Sequence, residues 1–332
     1  MGSINRSWSR DRSSASIGFY PSFFCFSSGP VVSISSHQSN LVSWLRVVLL
    51  SLVWGLAFTA IKLGLSDMSW LTLTLLRFLV ACCSFGLYFA FARRSFPSIA
   101  FRDLPGVAAL GFTGFTGYHV FLNFGERFTT AGTASLVIAI TPALIVLLAA
   151  RFLRERLTST RISGIALAFL GLAVMLLLRE HGRGEWSVSL SIGGALVAPS
   201  ALLSAMYSVI GKPYLRRYPP LVVVFYALLF GTLFTFPLVL ADVSQIVSET
   251  LTLSPVGWFT VFFLGVFSTF AGYGLWYQIL KATEASAAGA YLYLATLVAI
   301  VSGVVLLQES LTSPLLVGGL MVMLGVYLAQ RH

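Results

Sequence analysis

Residues 153–172, LRERLTSTRISGIALAFLGL, and residues 307–326, LQESLTSPLLVGGLMVMLGV, are written on one template. At a constant offset of 154, Leu153/Leu307, Glu155/Glu309, Leu157/Leu311, Thr158/Thr312, Ser159/Ser313, Gly164/Gly318, Leu170/Leu324 and Gly171/Gly325 coincide. A duplication inside so apolar a chain points to a membrane protein assembled from two related halves, the design of many transporters that hold their solute between the halves.

Composition sets the class. The 332 residues are 57% hydrophobic and 10% charged, whereas a soluble domain carries roughly 25% charged residues. Such a chain cannot cover a water-facing surface and reads as polytopic. Three cysteines (Cys25, Cys82 and Cys83) provide neither a disulfide framework nor metal-ligand spacing. Neither a metal nor a cofactor is expected. The net charge of +10 would suggest nucleic acid as the partner of a soluble protein. Here it reports orientation in the lipid bilayer, and no nucleic-acid role is expected.

Crossing the hydrocarbon core takes about 17–25 predominantly apolar residues. Ten segments qualify: 45–65, 70–92, 104–124, 129–150, 161–178, 190–210, 220–240, 256–280, 285–307 and 314–330. The expected fold is an all-α polytopic membrane protein with ten transmembrane helices, arranged as two inverted five-helix repeats. With the N-terminus placed inside, sixteen of the 21 Lys and Arg residues fall on inside segments. Three (Arg127, Arg179 and Arg183) fall outside, and Lys62 and Arg77 lie within spans. That bias places both termini in the cytoplasm. Five spans per half is an odd number, so the second half enters the membrane inverted. The expected units are residues 42–180 and 187–330. Residues 1–40 hold thirteen serines and stand apart as a leader, a disordered tail or a start-site artefact.

The stretches WGLAFTAIKLGL (54–65) and LTLTLLRFLVA (71–81), with ERLTSTRISGIALAFLG (155–171) and its copy ESLTSPLLVGGLMVMLG (309–325), resemble the drug/metabolite transporter superfamily, specifically its EamA type. The resemblance covers about residues 42–330. It implies a ten-helix exporter or facilitator of small metabolites that works by alternating access without ATP. The membrane is expected to be a bacterial inner (cell) membrane, with an organellar one as the alternative. A second internal match, GYHVFLNFGERFTTAGTASL (117–136) with GYGLWYQILKATEASAAGAY (272–291), runs at offset 155 and pairs Tyr118 with Tyr273 and Asn123 with Gln278. Lys62 and Lys212 fall at matching ends of the first helix of each half. The halves are not equivalent, because Arg77 meets Ala227 and Pro142 meets Leu297.

Seven residues are candidates for contact with solute. Arg77 lies about seven residues, or on the order of 10 Å, into the second span. It is either a cavity-facing cation for a carboxylate or phosphate, or a snorkelling side chain paired with interhelical carbonyls. Lys62 has the same two readings nearer a span end. His119 is a proton-sensing group or a neutral interhelical contact. Tyr118, Asn123, Tyr273 and Trp276 belong to an aromatic–amide group with Tyr277, Gln278, Tyr291 and Tyr293, which lines a cavity or forms an interface belt. Glu155 and Glu309 precede Thr-Ser pairs that cap the following helix, and read as structural turn residues at the positive end of that helix, or as gating ion pairs.

All eleven carboxylates fall in the tail, in loops or at span ends, so no midplane coupling acid is evident. Coupling through Glu126, Glu284 or His119 stays open. The competing classes are a sensor or scaffold, which would need an extra cytoplasmic domain, and an intramembrane enzyme, which would need convergent acids, bases or ligands at one depth. Neither pattern is present, and non-enzymatic transport of a small-molecule solute is the reading. Glycine faces could pack within one chain or between two, which leaves a homodimer open.

Overall fold

The computed structural model describes residues 36–91, 98–153, 158–181, 185–188, 191–289 and 291–330. Glu155 and residues 1–35 lie outside the described residues. Residues 36–40, expected to belong to the leader, already form the start of the first helix.

The chain folds as a succession of helices. Helix α1 (Ser36–Leu65) and α2 (Trp70–Phe91) are joined by a tight turn. Helix α3 (Leu104–Gly111) runs through a π-helical segment, Phe112–Thr116, into α4 (Gly117–Glu126). Helices α5 (Ala131–Ile138) and α6 (Thr141–Phe152) form one crossing, broken at 139–140 where Pro142 occupies the first turn of α6. Proline there lacks only a donor that a helix start leaves unused. Helix α7 (Ser159–Leu177) leads into the antiparallel hairpin β1 (Leu178–His181) and β2 (Glu185–Val188).

The second half repeats the plan with α8 (Ile192–Tyr214), α9 (Pro220–Ala241) and a surface helix α10 (Val243–Thr252). Helix α11 (Pro255–Phe262) passes through another π-helical segment, Phe263–Gly272, into α12 (Tyr273–Ala282). Helices α13 (Ala285–Gly289), α14 (Leu292–Leu307) and α15 (Ser313–Gln330) complete the chain.

Among the described residues, seven stretches are long and apolar enough to cross a membrane: Trp44–Leu65, Trp70–Phe91, Ala131–Phe152, Ser159–Leu177, Ile192–Tyr214, Pro220–Ala241 and Pro255–Ala282. The other three expected spans correspond to Leu104–Glu126, whose Thr, Tyr, His and Asn residues dilute its apolarity, and to the shorter apolar helices Leu292–Leu307 and Ser313–Ala329. Large apolar side chains including Leu87, Phe91, Phe236, Leu240, Phe259 and Leu320 point outward. A surface of that kind is stable against lipid rather than water. The molecule is a helical, multi-pass integral membrane protein.

Two connections expected as plain loops carry structure: the β1–β2 hairpin and α10. Ile246 of α10 is buried with Leu71 and Val239. Glu249 accepts hydrogen bonds from Ser69 N at 2.9 Å and Thr72 Oγ1 at 2.5 Å, so α10 caps the start of α2.

The duplicated template forms the contact between α7 and α15. A Cβ on Gly171 would lie 2.6 Å from Gly318 O, and one on Gly318 would lie 2.6 Å from Gly171 O. Gly164 and Gly325 oppose each other in the same way. The pairing 164/325 and 171/318 descends on one helix as it ascends on the other, so each copy packs antiparallel against its twin. Glycine is required because the two backbones meet without room for a side chain.

Candidate functional site

A cavity of about 70 Å³ lies between the halves. Its walls come from α1 (Trp54, Ala57, Phe58, Ile61), α2 (Arg77), the first π-helical segment (Gly114), α4 (Tyr118, His119, Leu122) and residues 135–139. The second half supplies Ser204 and Tyr207 from α8, Ser268 from the second π-helical segment, Tyr273 and Trp276 from α12, and Leu292, Ala295 and Thr296 from α14. Small-molecule sites run roughly 300–1,000 Å³, so the cavity is smaller here than an occupied site of that kind.

Arg77 supplies the cavity's cation and is 2% exposed. Its Nε donates to Thr269 Oγ1 at 3.2 Å, and its Nη2 donates to Thr269 Oγ1 at 3.0 Å and Ser268 Oγ at 3.3 Å. Nη1 is buried and has no partner among the described residues. The guanidinium is thus held by two neutral hydroxyls, with no carboxylate in contact among the described residues. The π-helical turn explains how adjacent hydroxyls can serve it. Thr269 Oγ1 itself donates to Leu264 O, five residues earlier, at 2.8 Å, and π-helical turns of this sort recur at functional sites. Trp54 Nε1 donates to Ser268 O at 3.1 Å, bracing the same turn from α1.

Tyr273 links the halves, and His119 faces its ring from the first half. His119 Nδ1 lies 2.9 Å from Phe115 O. A carbonyl accepts, so Nδ1 carries the hydrogen, and the ring lines the cavity. Tyr273 donates from its hydroxyl to Gly114 O at 2.8 Å, reaching from α12 into the first π-helical segment. Its ring stacks on Phe115 (4.6 Å between centroids) and meets Trp54 edge-on at 5.4 Å; Trp276 lies 5.8 Å from Trp54.

Of the seven residues singled out from sequence, Arg77, Tyr118, His119, Tyr273 and Trp276 share this cavity, whereas Asn123 and Lys62 do not line it. Asn123 is buried and donates from Nδ2 to Thr74 Oγ1 at 2.8 Å, tying α4 to α2. Lys62 donates from Nζ to Glu126 O at 2.8 Å and Thr129 O at 2.6 Å, closing the C-terminal end of α4. Tyr277 is fully buried and stacks on Tyr207 at 4.7 Å, a core position rather than an interface belt.

Glu309 also departs from expectation. Instead of serving the start of its own following helix, its carboxylate accepts from Ala131 N at 2.7 Å and Gly132 N at 2.9 Å, at the N-terminus of α5 in the other half. Gln308 makes this reach by taking the left-handed conformation (φ 55°), which reverses the chain at the end of α14. Gly132 and Gly303 leave the space that the carboxylate fills. Thr158 does cap α7, accepting from Arg161 N at 3.3 Å.

Sequence reading missed Trp54, Tyr207 and the Ser268–Thr269 pair. Trp54 stood in a quoted motif, but nothing in the motif aims it inward. The Ser-Thr pair lies in a segment, FLGVFSTFAG, that becomes π-helical, so a regular helical wheel misplaces it by part of a turn.

Residues 41–177 and 191–330 each match the EamA-like transporter family, and the chain belongs to it. It is 36% identical over 288 residues to an uncharacterized transporter of Archaeoglobus fulgidus, covering 87% of this chain and 98% of that protein. It is also 36% identical over 286 residues to a "probable terminal-alkyne amino-acid exporter" of Streptantibioticus cattleyicolor, covering 86% of this chain and 92% of the relative. A "probable amino-acid metabolite efflux pump" of Salmonella typhimurium is 28% identical over 308 residues, with 88% of this chain and 95% of the relative covered.

Proposed function

We propose that this chain exports amino acids or amino-acid-derived metabolites as a secondary transporter, by alternating access and without ATP. The observation that carries the reading is Arg77: a buried guanidinium at a cavity wall, anchored to hydroxyls, with Nη1 left for an anion. A solute carboxylate would complete the pairing, and a charge-assisted bond to arginine is the strong kind. The rest of the wall suits the other end of an amino acid. His119 Nε2 can accept from an ammonium, and the faces of Trp54, Tyr118 and Trp276 attract a cation while accommodating an apolar side chain. The names carried by two relatives point to the same class of solute.

In this reading residues 42–180 and 187–330 act as two inverted five-helix repeats of ten spans in all. They rock about the α7–α15 contact and open the cavity to either side in turn. The membrane is the bacterial inner membrane, with both termini cytoplasmic, as the basic inside segments favour. Both halves of one chain build the cavity, so a homodimer would hold two complete sites.

The test is counterflow of labelled L-propargylglycine, a terminal-alkyne amino acid, in vesicles reconstituted with the purified chain. Wild type should exchange it, and Arg77→Ala should raise the half-saturating concentration by about 10–100-fold, the loss of a charged hydrogen bond of roughly 1.5–3 kcal/mol. An Arg77→Ala variant that folds and binds the solute unchanged would remove the carboxylate role. No exchange of propargylglycine or of any amino acid by folded wild type would sink the amino-acid reading.

A further inference from the structure

Glu126 stands out among the acids of the molecule. It sits at the last position of α4, where a span end would ordinarily place it near water, yet it is 0% exposed. Both of its carboxylate oxygens are buried without a hydrogen-bond partner among the described residues. The other acids with described contacts behave differently. Asp103 is paired with Arg217 and Tyr218, Asp67 accepts from Ser254, Glu249 caps α2, and Glu309 caps α5.

The reason for the burial is local. Gly125 lies against Val197 and Gly193 of α8, Phe128 packs its carbonyl on Gly193, and the 126–132 connection is held from one side by Lys62 and from the other by Glu309. The charged and titratable groups facing Glu126 are Lys62 on α1, Arg77 on α2, Tyr118 on α4 and Glu309 ahead of α15. Lys62 directs two of its donors to backbone carbonyls, including that of Glu126 itself, and Glu309 is of like charge. From α8 the neighbours are the uncharged Gly193 and Val197.

We infer that Glu126 is a proton-binding site of this transporter and that its protonation is coupled to solute movement. Burying an ionised carboxylate that accepts no hydrogen bond costs far more than burying the neutral acid. The closed conformation is therefore compatible with –COOH at this position. Glu126 lies one turn from Leu122 and two from His119 and Tyr118, all three on the cavity wall, so these residues share one face of α4. When the helices part and water enters along this face, the acid gives its proton to water and the carboxylate becomes hydrated. Reclosure without solute then requires the carboxylate to take a proton back, whereas closure over the solute leaves it ionised, facing the Lys62 ammonium. The empty return therefore carries one proton for each solute moved the other way.

The inference rests on the transport reading for its coupling half, and a direct measurement separates the two. Infrared difference spectra of the purified full chain at neutral pH should show the C=O stretch of a protonated carboxylic acid. That band should be retained by Glu309→Gln and missing from Glu126→Gln. Identical spectra from wild type and Glu126→Gln would overturn the proton site whatever the solute.

In vesicles, a one-unit pH gradient should drive L-propargylglycine to about tenfold accumulation for one proton exchanged per zwitterion. Glu126→Gln should keep counterflow and lose that accumulation, whereas Glu126→Asp should keep both with a displaced pH dependence. Glu126→Gln that still accumulates solute in response to the gradient would overturn the coupling. Absence of counterflow in wild type would instead count against the solute class, leaving the infrared band to decide Glu126.

Discussion

Lys62 and Lys212 hold the same position in the two halves, yet what lies beneath them differs. Lys62 donates to the carbonyls of Glu126 and Thr129 at the end of α4; Lys212 donates to those of Leu280 and Thr283 at the end of α12. The acceptors stand 154 residues apart in both cases, so the 155-residue offset that aligns Tyr118 with Tyr273 has lost one residue by the helix end. In each half an ammonium from the first helix satisfies carbonyls that a helix terminus leaves open, and it also complements the negative end of the helix dipole. The clasp is duplicated, but the side chain at its inner carbonyl is a carboxylate in one half and an isobutyl group in the other. The framework is common to both halves, while the side chain at its inner carbonyl differs.

The sharpest way to break this contrast is Leu280→Glu. Leu280 is fully buried in an apolar cluster, although Trp276 and Tyr273, one and two turns away on α12, line the cavity as Leu122 and His119 do on α4. Thermal unfolding in detergent should show a loss on the order of 3–5 kcal/mol, the scale for an uncompensated buried charge. Unchanged stability would mean that a clasp lysine alone can accommodate a carboxylate, and the two halves would be interchangeable here.

Next in size is the pair Lys62→Met and Lys212→Met. Each removes two charge-assisted hydrogen bonds to carbonyls and should cost about 2–3 kcal/mol, by the same unfolding measurement. Similar losses support a shared clasp. A much larger loss for Lys62→Met would make that lysine principally the partner of the Glu126 carboxylate.

The smallest effect belongs to the end of the molecule near Lys212. Arg217 and Tyr218, just beyond α8, hold Asp103 in contacts of 2.6–2.9 Å. The hydrogen bond from Tyr218 and the Arg217 guanidinium keep the Asp103 carboxyl below its ordinary range. A carboxyl lowered on folding stabilises fully above its unfolded value, about pH 4, and that contribution is lost as pH falls through the lowered value. The difference in unfolding temperature between wild type and Asp103→Asn should therefore shrink as pH drops below about 4. A difference that held constant through that range would show that Asp103 contributes by packing rather than by charge.

Much of the architecture was legible because it depends on local sums. Span positions follow from runs of apolar residues, and the breaks between them from proline, serine and charged turns. The EamA resemblance was legible in the same way, through motifs repeated at one spacing. The Glu-x-Leu-Thr-Ser turn exposed the duplication, and its glycines turned out to be the surface on which α7 meets α15. Arg77 was legible as an ion at depth, since no polar stretch accompanies it along the chain.

Other features were legible in part or not at all. The π-helical segments shift the wheel on which Ser268, Thr269 and Gly114 would be placed. Asn123, apparently cavity-facing by spacing, turns instead to Thr74. Lys62 and Glu309 read as a solute contact and a local cap, yet both converge on the connection between α4 and α5.

By itself the sequence determined a membrane-embedded, helical, duplicated chain of transporter type, with one outstanding intramembrane cation. The membrane class and helices follow from composition and periodicity, which each segment carries alone; the duplication follows from motifs repeated at one offset, and the transporter type from their resemblance to the EamA family. Tertiary structure decided which polar groups share a cavity, which helix end each carboxylate serves, and that Glu126 is sealed from water. Those outcomes depend on distances between segments tens to hundreds of residues apart. The energy of a buried charge is set by what surrounds it in space, not by its place in the chain.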